Sequence, residues 1–151
     1  VQTDSNASVT IPAPILARLE ITDVLTRYTR AIDTGEWDLL DQVFTPDAEI
    51  DYTETGGIAD RFEVVKAWLG ENLPIFPQRQ HLLGQVSVEL SETGEEAQVA
   101  AYFYNPMVLP TGDGRGMVVE FGGIYHHAMV RTPAGWRSRR LHEQLVWKRG
   151  L

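Results

Sequence analysis

The sequence predicts an α+β domain, with helices gathered in its first half and antiparallel strands in its second. Three observations point there. Apolar residues recur at helical spacing from Ile15 to Asp33 and again after Asp60, whereas from Arg79 onward they alternate. Turn clusters at Glu92-Thr93-Gly94, Thr111-Gly112-Asp113-Gly114 and Thr132-Pro133-Ala134-Gly135 divide that second half into four segments. With no βαβ alternation, the simplest arrangement is a four-stranded meander whose curved sheet wraps around the helices.

At 151 residues and 43% hydrophobic content, the chain suits one domain over 12–151, preceded by a loose polar tail, VQTDSNASVTI, over 1–11. That tail lacks the charged start and apolar run of a signal peptide, and no stretch is apolar enough to cross a membrane. Thirteen basic against twenty-one acidic residues give a formal charge of −8, which argues against nucleic acid or an anionic membrane as partner. A neutral or cationic small molecule is easier to accommodate. Without cysteine there is no disulfide framework, thiolate nucleophile or cysteine-based zinc site. A cytoplasmic location is the expectation.

Pro12 and Pro14 introduce the first helix, Ile15 to Asp33. Ile21, Val24, Leu25, Tyr28, Ala31 and Ile32 fall within an arc of roughly 120°, with Tyr28 near its centre. The phenol therefore points inward, as a satisfied core tyrosine or as one wall of a polar spot in an apolar cavity. Ile15, Leu16 and Leu19 lie on another side, which suggests a second packing surface such as another subunit. Asp33 precedes the Thr34-Gly35 stop signal, where the helix dipole disfavours a carboxylate. Two roles are open to it: capping the next helix, with Glu36 completing a box-like pattern, or hydrogen bonding a distant histidine.

A short helix near Trp37 to Phe44 leads to a turn at Thr45-Pro46-Asp47 and a strand from Ala48 to Thr53, with Ile50 and Tyr52 on its inner face. Gly56-Gly57 ends the strand. Asp60 with Glu63 resembles a capping box for a helix bearing Phe62, Val65 and Leu69, and Pro74 and Pro77 close that helix. His81 opens the first long strand. Strict alternation puts Leu82, Val86, Val88 and Leu90 on the apolar face and His81 on the other, so an inward His81 requires a one-residue slip, best placed as a bulge near Gly84. Held by a carboxylate, an inward histidine can take and return a proton near neutrality.

Other features carry less chemistry. His126 and His127 are adjacent on a strand and face opposite ways, and His142-Glu143 lacks the second histidine of the zinc-protease motif, Val146 standing in its place. No metal and no cofactor are expected. Gly112, Gly114 and Gly116 lie in a hairpin, not between a strand and a helix, so they do not form a nucleotide loop. Tyr102 and Tyr104 share one strand face and Phe103, Asn105 and Met107 the other, one set lining any cavity. Trp37, Trp68, Trp136 and Trp147 read as packing residues, with Trp68 available to a wide cavity.

The run YTRAIDTGEWDLLDQVFTPDAEIDY, followed by RQHLLG and a closing GW…W strand, resembles the SnoaL-like branch of the nuclear-transport-factor-2-like (NTF2-like) superfamily, near scytalone dehydratase, bile-acid 7α-dehydratase and ketosteroid isomerase. The resemblance covers about Ile15 to Trp147. It implies a cone of curved, mostly antiparallel sheet closed by helices around an apolar pocket. It further implies an Asp33–His81 acid/base pair, with Tyr28 and Tyr52 donating to a substrate oxygen or a bound water. From their own positions in the sequence, Trp68 and Asn105 are added as candidate substrate contacts. A homo-oligomer, dimer or trimer, is also implied. Scytalone dehydratases carry a second pocket histidine where this chain has Gly122-Gly123, and bile-acid dehydratases a late arginine where it has Leu145-Val146-Trp147, so their particular substrates do not transfer.

The function these readings predict is a cofactor-independent lyase (dehydratase) or isomerase acting on an apolar, carbonyl- or hydroxyl-bearing ring compound. The contrasting expectation is a non-catalytic small-molecule-binding or assembly module on the same cone. An Asp33 carboxylate within about 3 Å of His81 in a closed pocket favours the former.

Overall fold

The computed structural model describes residues 8–151; the greater part of the tail expected over 1–11 lies outside the described residues. The first helix, α1, spans Ala13–Thr34. Pro12 precedes it and lends its carbonyl to the amides of Ile15 and Leu16, while Pro14 occupies the first turn, where its missing N–H costs nothing. Gly35 ends it in the left-handed region at φ 73°. Ala17, Ile21, Val24, Leu25, Tyr28, Ala31 and Ile32 form the buried stripe, and Ile15, Leu16 and Leu19 are exposed.

A 3₁₀ turn over Trp37–Gln42 leads into β1, Phe44–Asp51, then β2, Ala59–Arg61, and α2, Phe62–Asn72. Two local expectations are corrected here. Thr45-Pro46-Asp47 does not turn the chain but belongs to β1, where the register against its neighbour shifts between Phe44 and Glu49; the proline is tolerated in that irregularity. Asp60 does not cap α2: Arg61 occupies the cap position with no side-chain bond, and the Asp60 carboxylate accepts from the Arg61 amide. The predicted apolar stripe Phe62, Val65 and Leu69 is nonetheless the buried face of α2.

The second half holds β3, Gln78–Arg79; β4, Leu82–Leu90; β5, Glu96–Leu109; β6, Met117–Thr132; and β7, Gly135–Arg149. β4 to β7 form the antiparallel meander, and β1 adds to β7 in parallel, giving the order β2-β1-β7-β6-β5-β3 with β4 also on β5. The result is an α+β fold with the N-terminal helices on a curved mixed sheet of seven strands that does not close. No helix among the described residues is long and apolar enough to cross a membrane.

β3 and β4 are two pieces of one edge. Both pair with β5 in the same register, Arg79 opposite Met107 and Leu82 opposite Tyr104, and the interruption falls at Gln80-His81 opposite Pro106. Proline has no N–H to give to the ladder, so the pairing lapses there. Further along, the register shifts between Leu83 and Val86, where β4 carries one extra residue. This bulge lies at Gly84-Gln85 and inverts the facing of everything before it. Leu83 packs against the core with Val86 and Val88, whereas Leu82, expected inward, is 50% exposed. His81 consequently turns toward the helices.

Candidate active site

The end of α1, the break between β3 and β4, and the helix-covered face of β5 to β7 converge on one cavity. Asp33 sits in the last turn of α1, where exposed carbonyls repel its charge. Two N–H groups of His81 offset that repulsion. The backbone amide, free of the sheet ladder at the break, donates to Oδ2 at 2.8 Å, and ring Nδ1 lies 2.6 Å from Oδ1. A carboxylate only accepts, so Nδ1 carries a proton, and in the neutral imidazole Nε2 is the nitrogen with the lone pair. The imidazole is enclosed, with its side chain 4% exposed against 21% for Asp33. Asp33 therefore does not cap the following turn, whose cap position is Glu36 with no side-chain bond.

Arg79 fixes this junction. Its Nε donates to the Ile32 carbonyl at 2.6 Å and its Nη1 to the Phe76 carbonyl at 2.9 Å, tying the helix end to the strand that carries His81. The guanidinium lies over the Trp37 ring, 5.6 Å from its centroid. Gly35 leaves room for it: a Cβ there would stand 3.3 Å from Nη2, on a backbone that L side chains rarely adopt.

The cavity measures about 390 Å³ and is lined by Tyr28, Tyr52, Trp68, His81 and Asn105, with Ile32, Leu69, Phe76, Met107, Phe121, Tyr125 and Glu143 among its other walls. Pockets of roughly 300–1,000 Å³ suit small organic ligands. Of the residues singled out from sequence, Asp33 alone is not a wall; it stands behind His81. The Tyr28 and Tyr52 hydroxyls are 2.7 Å apart, and burial drives both phenols well above the usual tyrosine range, so both stay protonated. Tyr125 crosses Tyr28 edge-on with centroids 5.3 Å apart, and its phenol is raised in the same way, again chiefly by burial. Asn105 resolves the open question about its strand: Phe103, Asn105 and Met107 face inward, and the Asn105 Oδ1 is buried with no partner among the described residues.

Sequence reasoning passed over Tyr125 and Glu143. Glu143 belongs to a buried alternation with Leu141 and the partly buried Leu145, which marks it as inward, but the sequence drew attention to it only as part of a failed zinc motif. Burial, opposed by the neighbouring Thr55 hydroxyl and reinforced by Glu54, pushes its carboxyl from the ordinary 4.5 up to about 8. His127 also faces inward, its Nδ1 2.9 Å from the Ser138 hydroxyl, and burial lowers it to about 3. His126 points outward to Gln144, as the alternation requires. Among the described residues no three acidic, histidine or cysteine side chains are placed to share a metal ion.

Residues 13–142 match the SnoaL-like domain family. The chain belongs to that family. An uncharacterized protein of Mycobacterium tuberculosis strain H37Rv is 46% identical over 128 residues, covering 85% of this SnoaL-like chain and 84% of its own length. The fold recurs in a scytalone-dehydratase-like protein of Novosphingobium aromaticivorans, with TM-score 0.80, 15% identity, and 92% and 90% of the two chains covered. It recurs too in a hexachlorocyclohexane dehydrochlorinase of Novosphingobium barchaimii, with TM-score 0.76, 14% identity, and 92% of each chain covered. At such identities the likeness is one of fold, that of the NTF2-like superfamily. This SnoaL-like domain has no room for a histidine at Gly123, where a Cβ would lie 2.1 Å from the Gln144 carbonyl and 2.7 Å from the Phe103 ring.

Proposed function

We propose that the protein is a lyase or isomerase that removes a carbon-bound proton from an apolar, oxygen-bearing ring compound, with Asp33 and His81 as its acid/base pair. The reading rests on the 2.6 Å contact between Asp33 Oδ1 and His81 Nδ1, which leaves Nε2 as the basic ring nitrogen beside the cavity. As Nε2 takes the proton, the imidazolium forms against the carboxylate and is stabilised by it. The protonated phenols of Tyr28 and Tyr52 supply a hydrogen bond to the oxygen on which negative charge develops. Trp68 and Asn105 add an apolar wall and an unfilled polar contact for the rest of the substrate.

Among the described residues no lysine or arginine lines the cavity, which favours an uncharged substrate over a carboxylate or phosphate ester. The folds of the dehydratase-like and dehydrochlorinase neighbours are used, by those proteins' names, for eliminations, and this supports the lyase branch. The test is exchange of the α-protons of bicyclic and polycyclic ketones, α-tetralone first among them, into heavy water, followed by nuclear magnetic resonance. Enzyme-dependent exchange that disappears in His81→Ala is the expected result. Ketone binding without exchange would leave a binding module.

A further inference from the structure

Glu143 is a buried carboxyl on the wall of the cavity, and the mechanism above does not use it. It is the partner of Tyr125 across the β6–β7 ladder, so their side chains adjoin on the same face. His81 reaches the same Tyr125 ring from the β3–β4 edge, with centroids 6.4 Å apart. With β6 between β7 and β5 in the sheet, the carboxyl and the imidazole thus stand on either side of Tyr125, all three on the cavity wall. The groups facing Glu143 are Thr55 and Glu54 from the turn after β1, Tyr28 from α1, Tyr52 after β1 and Tyr125 from β6, while α2 brings only Trp68, Leu69 and Asn72 to the cavity. None of these is a cation. His142, next to it on β7, is turned instead to Glu54 and Asp51. A carboxyl enclosed by phenols and apolar walls, beside another carboxylate, keeps its proton at neutral pH.

We propose that Glu143 is the acid of an elimination in this cavity: it gives its proton to a departing hydroxyl while His81 takes the proton from the adjacent carbon. The inference rests on the Asp33–His81 reading and narrows it to dehydration of a neutral β-hydroxyketone. The carbon–hydrogen bond breaks and its proton joins Nε2 of His81. Its electron pair becomes the new carbon–carbon double bond. The carbon–oxygen bond breaks with its pair on oxygen, and the Glu143 proton completes a molecule of water. Return of a proton from the imidazolium to the Glu143 carboxylate, through solvent once product leaves, restores both groups. Neither metal nor redox partner enters the balance. A separate acid and base on the wall of one cavity fit elimination, whereas migration of a double bond needs only one shuttling group.

Two measurements test it. Infrared difference spectra of the wild-type protein against E143Q are expected to show a protonated carboxyl stretch at neutral pH that vanishes as pH rises through about 8. Its absence at neutral pH would overturn the proposal whatever the substrate. Kinetically, α-tetralone reports proton removal alone, and its β-hydroxy derivative reports loss of water to a naphthol. E143Q is expected to lower elimination by at least about 10²-fold more than it lowers α-proton exchange, the scale of one positioned proton transfer. Elimination by E143Q at the wild-type rate would overturn the assignment. Exchange that survives in His81→Ala would instead defeat the acid/base reading of Asp33–His81, and leaves the infrared result standing, so the two failures are distinguishable.

Discussion

Two buried glutamates on the sheet show what a partner does to a carboxyl. Glu143, on the helix-covered face, is 7% exposed, and Glu120, on the opposite face, is 8% exposed. Glu120 accepts from the Tyr104 hydroxyl at 2.5 Å and from Arg149, and these bonds hold it below the ordinary carboxylate range. Glu143 has phenols and Thr55 near it but no cation among the described residues, and burial drives it the other way. Similar exposure therefore accompanies opposite shifts: Glu120 is covered on the outer face by Tyr104 and Arg149, whereas Glu143 is enclosed among cavity walls, where desolvation dominates. The difference teaches that low exposure alone does not set a carboxyl's protonation, whereas the charge and donors that meet it do. Asp33 is a third case, its charge met by two N–H groups of one histidine.

The sharpest way to break this comparison is to remove the histidine. His81→Ala is expected to lower α-proton exchange by about 10²- to 10⁴-fold, measured by nuclear magnetic resonance in heavy water, with the Glu120 cluster untouched. Asp33→Asn comes next, lowering exchange by about 10²-fold or more, because an amide can donate to Nδ1 and draw the ring proton to Nε2, where it blocks the base.

Stability against pH separates the glutamates directly. Between the ordinary 4.5 and about 8 the folded chain keeps the Glu143 proton that the unfolded chain has released. Stability therefore falls as pH rises through that window, by up to about 1.4 kcal/mol per unit, and levels off above it. In urea titrations E143Q is expected to lose that decline and to gain on wild type more at high pH than at pH near 5. Glu120, being lowered, contributes in the opposite sense: its stabilisation is full above the ordinary range and is lost as pH falls through its lowered value. Glu120→Gln is thus expected to weaken the fold slightly at neutral pH and to leave exchange unchanged. An equal kinetic effect of the two substitutions would erase the contrast.

Acid sensitivity offers a smaller test. His127, lowered to about 3, stays neutral in the fold while the unfolded chain protonates near the ordinary 6.5, so stability drops as pH falls from 6.5 toward 3. His127→Gln retains a hydrogen bond to Ser138 and is expected to blunt that drop in thermal melts across the acid range.

Much of this arrangement was legible in the chain because it follows from periodicity. The stripe through Tyr28 places a phenol in the core, the alternation at Ile50 and Tyr52 brings up a second, and the hydroxyls meet at 2.7 Å. The need for a slipped strand at His81 was also readable, and the shift falls beside Gly84. What escaped was long-range or cooperative. Arg79 reaches back to the Ile32 carbonyl across 47 positions, and no local pattern announces such a bond. The His81 amide given to Asp33 points to the open edge of the sheet, next to Gln80, whose own N–H bonds the Pro106 carbonyl, and such edge geometry depends on which strand lies opposite. The turn expected at Thr45-Pro46-Asp47 was overridden by pairing with β7, tertiary contact outweighing local turn chemistry. Glu143 was visible as an inward position between Leu141 and Leu145, yet its protonation depends on which groups surround it, and only the assembled cavity shows that no cation does.

The most direct measurement is α-proton exchange of α-tetralone and larger ring ketones in heavy water, comparing the wild-type chain with His81→Ala at matched folded concentration. The Asp33–His81 pair predicts exchange well above the buffer rate for at least one ketone, returning to that rate in the variant. Exchange that is equal in the two proteins, or absent from the wild type across ketones shown to bind, would contradict it.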